Sequence, residues 1–498
     1  MISPMHSIEQ AAQWLHDRGC QHLHTDSRQV RAGDGFIAWH GAHQDARQYV
    51  ITALDQGAHA ALIEGNALPT SLSVHWPAEV VATLTDLKLR SGEVASAFYG
   101  HPSHQLDVIA VTGTNGKTST TWWLAQALNQ AQRACGIVGT LGVGMADHLS
   151  QTGLTTPQAV ELQTALATMV GQGAQACAIE ASSIGLSEGR LQGVRVGVAV
   201  FTNFTQDHLD YHHDMAQYWQ AKRSLFDSTD LRAAVINVDD SHGVQLASEL
   251  IDQLPVWTIS RQSPARVWAK HITSLADGTH VDIAEQGDAH VYTITTPLVG
   301  DYNVSNLLCV LASLRALGLN MAEAIAACAA LSPVPGRLQR VGQDARQPLV
   351  VVDYAHTPDA LTQVLGALHP VAEARQGQLW CVVGCGGDRD PSKRAPMAAA
   401  AESGAHRLVL TSDNPRSETP DAILEAMMIG LSRPAHAVCV DRAQAIALVV
   451  AQAQPQDVVL IAGKGHEDYQ EINGQRLPFN DHDVALAALH LRNTEGQA

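Results

Sequence analysis

Residues 108–119 read VIAVTGTNGKTS, an apolar strand that runs directly into a loop of glycine, lysine and hydroxyl side chains. Residues 120–132 follow with a composition that favours a helix. Such a loop presents backbone N–H groups to a nucleotide triphosphate, and Lys117 can reach its β and γ oxygens. The strict pattern requires a glycine where Val111 stands, so we predict a variant phosphate loop. A strand-to-helix turn without a ligand is the alternative.

The charge balance narrows the choice of partner. The 498 residues include 31 lysines and arginines against 49 aspartates and glutamates, which gives a formal net charge of −18. This excess of acidic residues argues against a duplex-binding surface and against binding to an anionic membrane. We therefore expect small-molecule substrates and no nucleic acid.

Cysteine spacing and the N-terminal sequence indicate the compartment. The eight cysteines form no Cys-x-x-Cys pair, so they indicate neither a disulfide framework nor a zinc knuckle, and we interpret them as reduced thiols. No lysine or arginine precedes Arg18, and no uncharged apolar run approaches the roughly 20 residues that span a bilayer. The sequence predicts a cytoplasmic protein without membrane insertion.

The chain is long enough for about three domains at ~100–200 residues per domain. Apolar strands alternate with alanine-rich helical segments, which predicts an α/β fold with parallel sheets covered by helices. The segment 332–337 contains two prolines and a glycine and is typical of a linker. We predict a small N-terminal domain over 1–90, a central domain over 91–336 and a third domain over 337–498.

The predicted strands of the last two domains share one feature: each ends directly in polar or glycine-rich residues. They are 108–111, 176–179, 196–201, 349–352, 380–383, 407–410 and 458–461. In open parallel sheets, ligands bind outside the carboxyl ends of the strands. The pattern therefore predicts a cleft between two sheets, lined by the loops that follow these strands.

Residues 207–212 read DHLDYH and admit three interpretations. His208 and His212 are four apart and would share one helix face as a zinc pair, although Leu209 replaces the glutamate of a zinc-protease helix. Asp207 could instead be a structural cap that opens a helix. A hard-cation site formed by Glu180 and His208 fits a nucleotide enzyme better, because magnesium takes few protein ligands and completes its shell with phosphate and water.

Two loops of the third domain carry charged groups. Residues 384–390 could be an ordinary glycine turn, or Arg389 could bind phosphate or carboxylate. Residues 413–416 read DNPR and suit a zwitterion, because Arg416 can take a carboxylate bidentately and Asp413 can take an ammonium. An Asx-Pro turn with an exposed arginine is the alternative for 413–416. Lys222, taken alone, is typical of a solvated helix charge.

Taken together, these motifs resemble the Mur ligases, the ATP-dependent amino-acid-adding enzymes of cytoplasmic peptidoglycan synthesis. The matching segments follow one another along nearly the whole chain: 25–28, 113–119, 155–157, 180–183, 207–212, Lys222, 300–303, 353–359, 413–416 and 463–468. Residues 413–416 look like the signature of members that add diaminopimelate, since lysine-adding members lack the final arginine. Leu154, Ile184, Asp45 and Glu188 depart from the family pattern.

The resemblance implies a monomer of three domains: a UDP-binding domain, a phosphate-loop ATPase domain with a parallel sheet, and a Rossmann-like domain that binds the amino acid. It assigns ATP binding to Gly113, Thr114, Asn115, Gly116, Lys117, Thr118, Ser119, Asn303, Arg337 and Asp353. It assigns the UDP-N-acetylmuramoyl-dipeptide to Ser27, His43, Gln44, Asp45, Thr155, Thr156, Ser182, Glu188 and Arg190. It assigns meso-diaminopimelate to Arg389, Asp413, Asn414, Pro415, Arg416, Gly463 and Glu467.

The resemblance also implies the catalytic groups Lys117, Lys222, Glu180 and His208. Mg²⁺ is expected on Thr118, Glu180, His208 and Lys222, with Lys222 modified as a carbamate. A free lysine with a pKa of ~10.4 is neutral only about one part in a thousand near pH 7, so this site must lower the pKa before the amine can capture carbon dioxide.

The implied reaction is acyl activation: a carboxylate of the nucleotide substrate takes the γ-phosphoryl group of ATP, and the amine of diaminopimelate then attacks the acyl phosphate. Two other functions remain open from the sequence. A folylpolyglutamate synthetase shares the ATPase core but needs neither a UDP-binding domain nor the 413–416 loop. A non-enzymatic nucleotide switch would leave Glu180, His208 and Lys222 without a common purpose.

Overall fold

The computed structural model describes residues 2–41, 44–66, 76–275, 278–298, 300–342 and 346–495. Three helix-covered sheets follow one another along the chain, so the predicted α/β class is confirmed. No helix among these residues is both long and apolar enough to cross a membrane.

The first sheet has five strands, all parallel, in the order β1-β5-β4-β3-β2. They are β1 (Ser3–Met5), β2 (Leu23–His24), β3 (Gly35–Ala38), β4 (Ala60–Glu64) and β5 (Val81–Leu84). Helices Ile8–Asp17 and Leu87–Phe98 cover one face, and Val50–Asp55 covers the other. The predicted domain boundary at residue 90 falls inside Leu87–Phe98, whose buried side chains pack on the core of this first sheet.

The central sheet has eleven strands in the order β16-β15-β14-β13-β12-β11-β6-β10-β7-β8-β9. They are β6 (Asp107–Thr112), β7 (Cys135–Gly139), β8 (Gly142–Met145), β9 (His148–Ser150), β10 (Ala176–Glu180), β11 (Val198–Phe201), β12 (Ala233–Asn237), β13 (Val256–Ser260), β14 (Val267–Leu275), β15 (Gly278–Glu285) and β16 (Val291–Thr296). The strands from β7 to β14 in this order run parallel, and antiparallel strands extend both edges.

Helices bury both faces of the central sheet. Lys117–Gln130, Asp301–Ala316 and Met321–Ala329 pack on one face, and Ala159–Gly171, Met215–Arg223 and Ser241–Leu250 pack on the other. Two short helices, Ser183–Ser187 and Leu209–His212, follow strand ends. The helix Lys117–Gln130 begins three residues before the start predicted from the sequence, because its N-terminal turn is part of the phosphate loop.

The third sheet has the order β17-β18-β22-β19-β20-β21 and is parallel except for β17. Its strands are β17 (Gln339–Val341), β18 (Leu349–Asp353), β19 (Leu379–Val383), β20 (Arg407–Thr411), β21 (Ala437–Cys439) and β22 (Val458–Ala462). The helices are Pro358–Ala374, Arg394–Gly404, Pro420–Met428, Arg442–Gln452 and Asp481–Glu495. A separate antiparallel hairpin joins β23 (Tyr469–Ile472) to β24 (Gln475–Pro478).

The predicted linker at 332–337 lies between helix Met321–Ala329 and β17 and has no regular structure. It approaches the third domain closely: a Cβ on Gly336 would lie 2.2 Å from the backbone nitrogen of His466. The linker therefore packs against the loop that follows β22.

Candidate active site

A cavity of about 370 Å³ lies between the central and third sheets. Loops after the ends of β6, β10, β11 and β12 line it from the central domain, and residues 353–364 line it from the third domain. The cleft predicted from the strand ends is thus present in the fold.

The phosphate loop is held in a shape that glycine alone fits. Gly113 has φ +148°, and a Cβ there would lie 1.9 Å from Thr202 Oγ1. Gly116 has φ +85°, and its Cβ would lie 2.3 Å from Asn306 Oδ1. The Lys117 ammonium donates to the carbonyl oxygens of Gly113 and Thr114 at 2.9 and 2.8 Å. The loop and its lysine are therefore preorganised around a space that a phosphate can enter.

Lys222 is buried beneath this loop, with 1% of its surface exposed. Its Nζ donates to Gly113 O at 2.7 Å and lies 4.4 Å from the centre of the Tyr218 ring. Burial, together with the nearby charge of Lys117, lowers the pKa of Lys222 well below its ordinary value. It is not the solvated helix charge that its sequence context alone would suggest, and the direction of its pKa shift is the one that carbamate formation requires.

Glu180 ends β10 and is 2% exposed. Its Oε2 accepts from Thr118 Oγ1 at 3.0 Å, and its Oε1 accepts from the backbone N–H of Thr140 at 2.9 Å. A buried carboxylate beside the hydroxyl of a phosphate loop is a donor set of hard oxygens, which suits Mg²⁺ rather than a soft metal.

The zinc and cap interpretations of residues 207–212 find no support in the geometry. The helix begins at Leu209, so His208 precedes it with φ +53°, and Asp207 does not cap it. His212 turns away to hydrogen-bond Ser183 Oγ at 2.9 Å. Within the described ranges, no three His, Cys, Asp or Glu side chains are grouped as a metal site.

Asp207 instead faces the third domain. Its carboxylate lies 3.4 Å from His208, 3.9 Å from His356 and 3.9 Å from Lys393. Burial opposes its ionisation, but these neighbours lower the pKa of Asp207 to about 2. The group is thus a fixed anion at the junction of the two domains.

The three residues expected to frame the nucleotide line the same cavity. Arg337 Nη2 donates to Thr118 Oγ1 at 3.2 Å, and the guanidinium lies over the Tyr354 ring at 4.5 Å. Asp353 accepts from the backbone N–H groups of Leu338 and Ala355, and burial raises its pKa. Asn303 accepts from Asn306 at 3.2 Å.

The residues expected to hold the UDP end lie in the first domain. Ser27 is buried, with 9% exposed. The Asp45 carboxylate binds Arg47 at 2.8 Å, and Gln44 hydrogen-bonds Tyr49. His43 lies outside the described residues. Both Asp45 and Gln44 have partners within the chain, and their assignment to the UDP end stays a prediction.

The residues expected to hold the muramoyl-dipeptide form a connected group beside Glu180. Thr156 Oγ1 donates to Glu180 O and lies 3.0 Å from Ser182 Oγ, while Arg190 donates to Thr156 O at 2.9 Å. Thr155 contacts Thr140 at 3.2 Å and lines the cavity. Glu188 lies to one side, paired with Lys88 at 2.8 Å and accepting from Tyr211 at 2.6 Å.

The loops expected to bind the amino acid meet at the carboxyl ends of β19, β20 and β22. Gly387 N donates to Asn414 O at 2.9 Å, and Arg416 Nη1 donates to Gly387 O at 2.7 Å. Gly463 lies so close to Asp413 that a Cβ there would be 2.6 Å from Oδ2. Gly463 N also donates to Asp353 O at 3.1 Å, so these loops border the cavity between the central and third sheets.

Arg416 is not an exposed turn residue. Its backbone has φ +52°, and it pairs with the β23–β24 hairpin through Arg416 N to Glu471 O at 3.0 Å and Asn473 N to Arg416 O at 2.7 Å. Its Nε lies 3.4 Å from the Glu471 carboxylate. Arg389, in contrast, is exposed and donates to Asp388 O at 3.3 Å.

Sequence reasoning missed three charged side chains of this region: Lys464, Glu471 and Arg442. Lys464 is fully buried and binds Asn414 and Glu467, and Arg442 donates to Ser412 O and Ala462 O at the ends of β20 and β22. The glycines on either side of Lys464 were a signal for it, whereas the contacts of Glu471 and Arg442 join segments distant in the sequence.

Two family descriptions match the chain. The Mur ligase middle domain matches residues 111–314, and the Mur ligase glutamate ligase domain matches residues 336–465. Among curated proteins, the UDP-N-acetylmuramoyl-L-alanyl-D-glutamate--2,6-diaminopimelate ligase of Acidovorax sp. (strain JS42) is 53% identical over 496 residues, covering 98% of both chains.

Solved structures agree in fold. A UDP-N-acetylmuramoyl-L-alanyl-D-glutamate--2,6-diaminopimelate ligase is 36% identical, with a TM-score of 0.65 and 95% of each chain covered. A Mycobacterium tuberculosis folylpolyglutamate synthase complexed with ADP and AMPPCP has a TM-score of 0.60 at 21% identity, over 76% of this chain and 92% of that one. This second likeness extends to the fold alone.

Proposed function

Because the chain belongs to the Mur ligase family, we propose that it is an ATP-dependent ligase that joins meso-diaminopimelate to UDP-N-acetylmuramoyl-L-alanyl-D-glutamate. The observation that carries this proposal is the cavity that the phosphate loop, Glu180 and Lys222 line together, with the loop after β22 at its border through the hydrogen bond from Gly463 N to Asp353 O. A protein that bound only a nucleotide would need the phosphate loop but not the loops of the third domain beside it.

The first step is phosphoryl transfer. A D-glutamate carboxylate oxygen attacks the γ-phosphorus of ATP, an O–P bond forms, and the bond to the bridging oxygen breaks to release ADP. Lys117 and the loop N–H groups stabilise the charge on the transferred phosphoryl group. Thr156, Ser182 and Arg190 lie beside Glu180, where they can orient the carboxylate that reacts.

The second step is amide formation. The neutral amine of diaminopimelate attacks the acyl carbon, and a tetrahedral intermediate forms. The C–O bond to phosphate then breaks, and the nitrogen gives one proton to the departing phosphate. Arg416 takes the distal carboxylate, and the carboxylates of Asp413 and Glu467 take the distal ammonium. Closure of the two domains excludes water, which would otherwise hydrolyse the acyl phosphate.

The residues present fit Mg²⁺, since Glu180 and Thr118 offer hard oxygens and His208 lines the same cavity. When bound, the cation would offset phosphate charge. Lys222 would add a further anionic ligand as a carbamate: its nitrogen bonds the carbon of CO₂ and loses a proton to solvent. The low pKa of Lys222 favours the neutral amine that this step needs.

The proposal places the enzyme in the cytoplasm as a monomer that takes part in making peptidoglycan precursors. The test is phosphate release from ATP in the presence of UDP-muramoyl-dipeptide, with diaminopimelate, lysine or glutamate added in turn. We expect rapid phosphate release when diaminopimelate is the added amino acid, and not when lysine or glutamate is added. A folded Lys117→Ala variant should release no phosphate. Equal turnover with glutamate, or turnover with a folate in place of the UDP substrate, would favour the synthetase alternative. Release without any acceptor would favour the nucleotide switch.

A further inference from the structure

Lys464 stands apart from the charged residues already assigned, because it is buried completely among the loops that we propose bind the amino acid. It follows Gly463, which has φ +116°, and precedes Gly465, which has φ +54°. A Cβ on Gly465 would lie 2.7 Å from Gly336 O and 2.8 Å from Tyr354 Cβ. The backbone on both sides of Lys464 therefore has a conformation that turns this side chain inward.

The ammonium of Lys464 has two acceptors. It donates to Glu467 Oε2 at 2.7 Å and to Asn414 Oδ1 at 3.0 Å. Asn414 closes the triangle, since its Nδ2 donates to the same Glu467 Oε2 at 2.9 Å and its Oδ1 also accepts from Glu471 N at 2.9 Å. A buried charge is costly unless it is paired and hydrogen-bonded, and here the pairing is complete.

The triangle uses only one oxygen of Glu467. Both donors bind Oε2, and within the described part of the chain Oε1 has no hydrogen-bond partner. Glu467 is partly exposed, whereas Lys464 and Asn414 are buried, so the free oxygen lies on the solvent side of the cluster. A carboxylate held by one oxygen presents the other to a cation in a defined direction.

We propose that Lys464 is a positioning residue for amino-acid selectivity, which fixes Glu467 Oε1 to receive the distal ammonium of diaminopimelate. This inference rests on the proposed function and adds to it a division of labour: Arg416 senses the distal carboxylate, and the cluster of Lys464, Asn414 and Glu467 senses the distal ammonium. Lys464 itself does not touch the substrate.

The test compares three amino acids that share the reacting amine. Diaminopimelate has both distal groups, 2-aminopimelate lacks the distal ammonium, and lysine lacks the distal carboxylate. In wild type, kcat/KM should favour diaminopimelate over both others. In Lys464→Met, which keeps the length of the side chain but removes its charge, the diaminopimelate-to-2-aminopimelate ratio should fall about tenfold, as for one lost charge-assisted hydrogen bond.

The same ratio separates positioning from damage, because general loss of structure lowers turnover of both amino acids alike and leaves their ratio unchanged. The KM for ATP should stay within about twofold of wild type, since the cluster lies outside the phosphate loop. Lys270→Met is the matched control: Lys270 is exposed on β14, and its replacement should leave every ratio unchanged.

If Lys464→Met does not fold by circular dichroism, Lys464→Gln, which retains an N–H donor, should show a smaller fall in the same ratio. An unchanged ratio in a folded variant overturns the role of Lys464. If wild type itself fails to use diaminopimelate, the proposed function is wrong, and that result is reached before any variant is made.

Discussion

Two lysine ammonium groups share one acceptor, because both Lys117 and Lys222 lie within 2.9 Å of Gly113 O. Two positive charges so close together repel each other, which adds to the burial that already lowers the pKa of Lys222. The role proposed for Lys117 at the phosphates requires its cationic form. Burial lowers the pKa of Lys117 as well, but Lys222 is the more deeply buried of the two, and its pKa lies well below its ordinary value.

The first prediction concerns Lys222. Lys222→Ala should reduce turnover by about a hundredfold or more, because the expected anion beside Glu180 is lost. Small carboxylates such as formate should restore part of it by occupying the vacated space. The measurement is kcat against formate concentration, with chloride at equal ionic strength as control. Turnover that stays near wild type, or a native mass without carbamate together with no rescue, would contradict the modification.

The second prediction concerns Arg416. Truncating one partner of a buried charged pair costs roughly 2–5 kcal/mol, which is about 30-fold or more in selectivity. Arg416→Ala should therefore lower the ratio of kcat/KM for diaminopimelate to that for lysine while the KM for ATP changes little. Arg416→Lys should recover little, because a point charge lacks the planar fork. A ratio equal to wild type would move the carboxylate site to another side chain, with the exposed Arg389 as the next candidate.

The third prediction concerns His212, which is 4% exposed and hydrogen-bonded to Ser183. Burial lowers its pKa to about 4. The unfolded chain therefore binds more protons than the folded one between pH 6.5 and 4, so stability is present above pH 6.5 and is lost as the pH falls through that window. His212→Gln, which does not titrate, should lose less stability on acidification.

Chemical unfolding at pH 7.5 and pH 5 measures this difference. We expect the drop in unfolding free energy of wild type to exceed that of His212→Gln by on the order of 1–2 kcal/mol. Equal drops in both proteins would mean that His212 is protonated in the folded state.

At the scale of elements, seven parallel strands of the last two domains were predicted, and the antiparallel strands that extend the central sheet were not. The predicted strand 176–179 agrees within one residue with β10, because a run of buried apolar residues that stops at Glu180 marks both the strand and its functional end. The strands β8 and β15 were not predicted. β8 contains two glycines, which weaken a strand signal, and it is defined by its pairing with β7. β15 alternates polar and apolar residues over part of its length, which was a strand signal that the sequence analysis did not use.

The same limit applies to the candidate site. Strand ends in a parallel sheet converge whatever their side chains, which is why loops 113–119 and 413–416 could be placed at a cleft from sequence. The sequence could not identify Glu471 as the partner of Arg416, because Glu471 lies on a hairpin whose position depends on tertiary packing.

The fourth prediction concerns the contact between the loops 384–390 and 413–416. A Cβ on Gly387 would lie 2.0 Å from Pro415 O, so Gly387→Ala should push apart the segments 384–390 and 413–416. We expect the KM for diaminopimelate to rise about tenfold or more, with the KM for ATP unchanged. Gly366→Ala, at a helix position with nothing within 4 Å of the added Cβ, is the matched control. Equal KM values for diaminopimelate in both variants would show that the loops tolerate the separation.

At the scale of the whole molecule, the central and third domains contact each other across the cleft. Asn115 Nδ2 donates to Asp359 Oδ2 at 2.9 Å, and Arg337 reaches back to Thr118. The sequence predicted that two sheets would face each other. It could not give the pairing of Asn115 with Asp359, because the two residues are 244 positions apart and neither belongs to a strand.

The fifth prediction follows from that contact. Asp359→Ala removes one hydrogen bond between the central and third domains, so we expect water to reach the acyl phosphate more often. The ratio of phosphate released to amide formed should rise from about one to several, with Asp252→Ala, an exposed site in the central domain, as control. A ratio that remains at one would show that closure does not depend on this hydrogen bond.

Contacts among the loops proposed to bind the amino acid limit how a new substrate preference could arise. Gly387 holds Asn414, Arg416 is held by the backbone of the β23–β24 hairpin, and Asn414 in turn receives Glu471 N. A 413–416 loop taken from a relative with another preference could keep these backbone hydrogen bonds, but it would lose the acceptor for Glu471 N if residue 414 were not asparagine. We therefore expect the segments 384–390, 413–418 and 463–478 to change together, in evolution or by design, when the amino-acid preference changes.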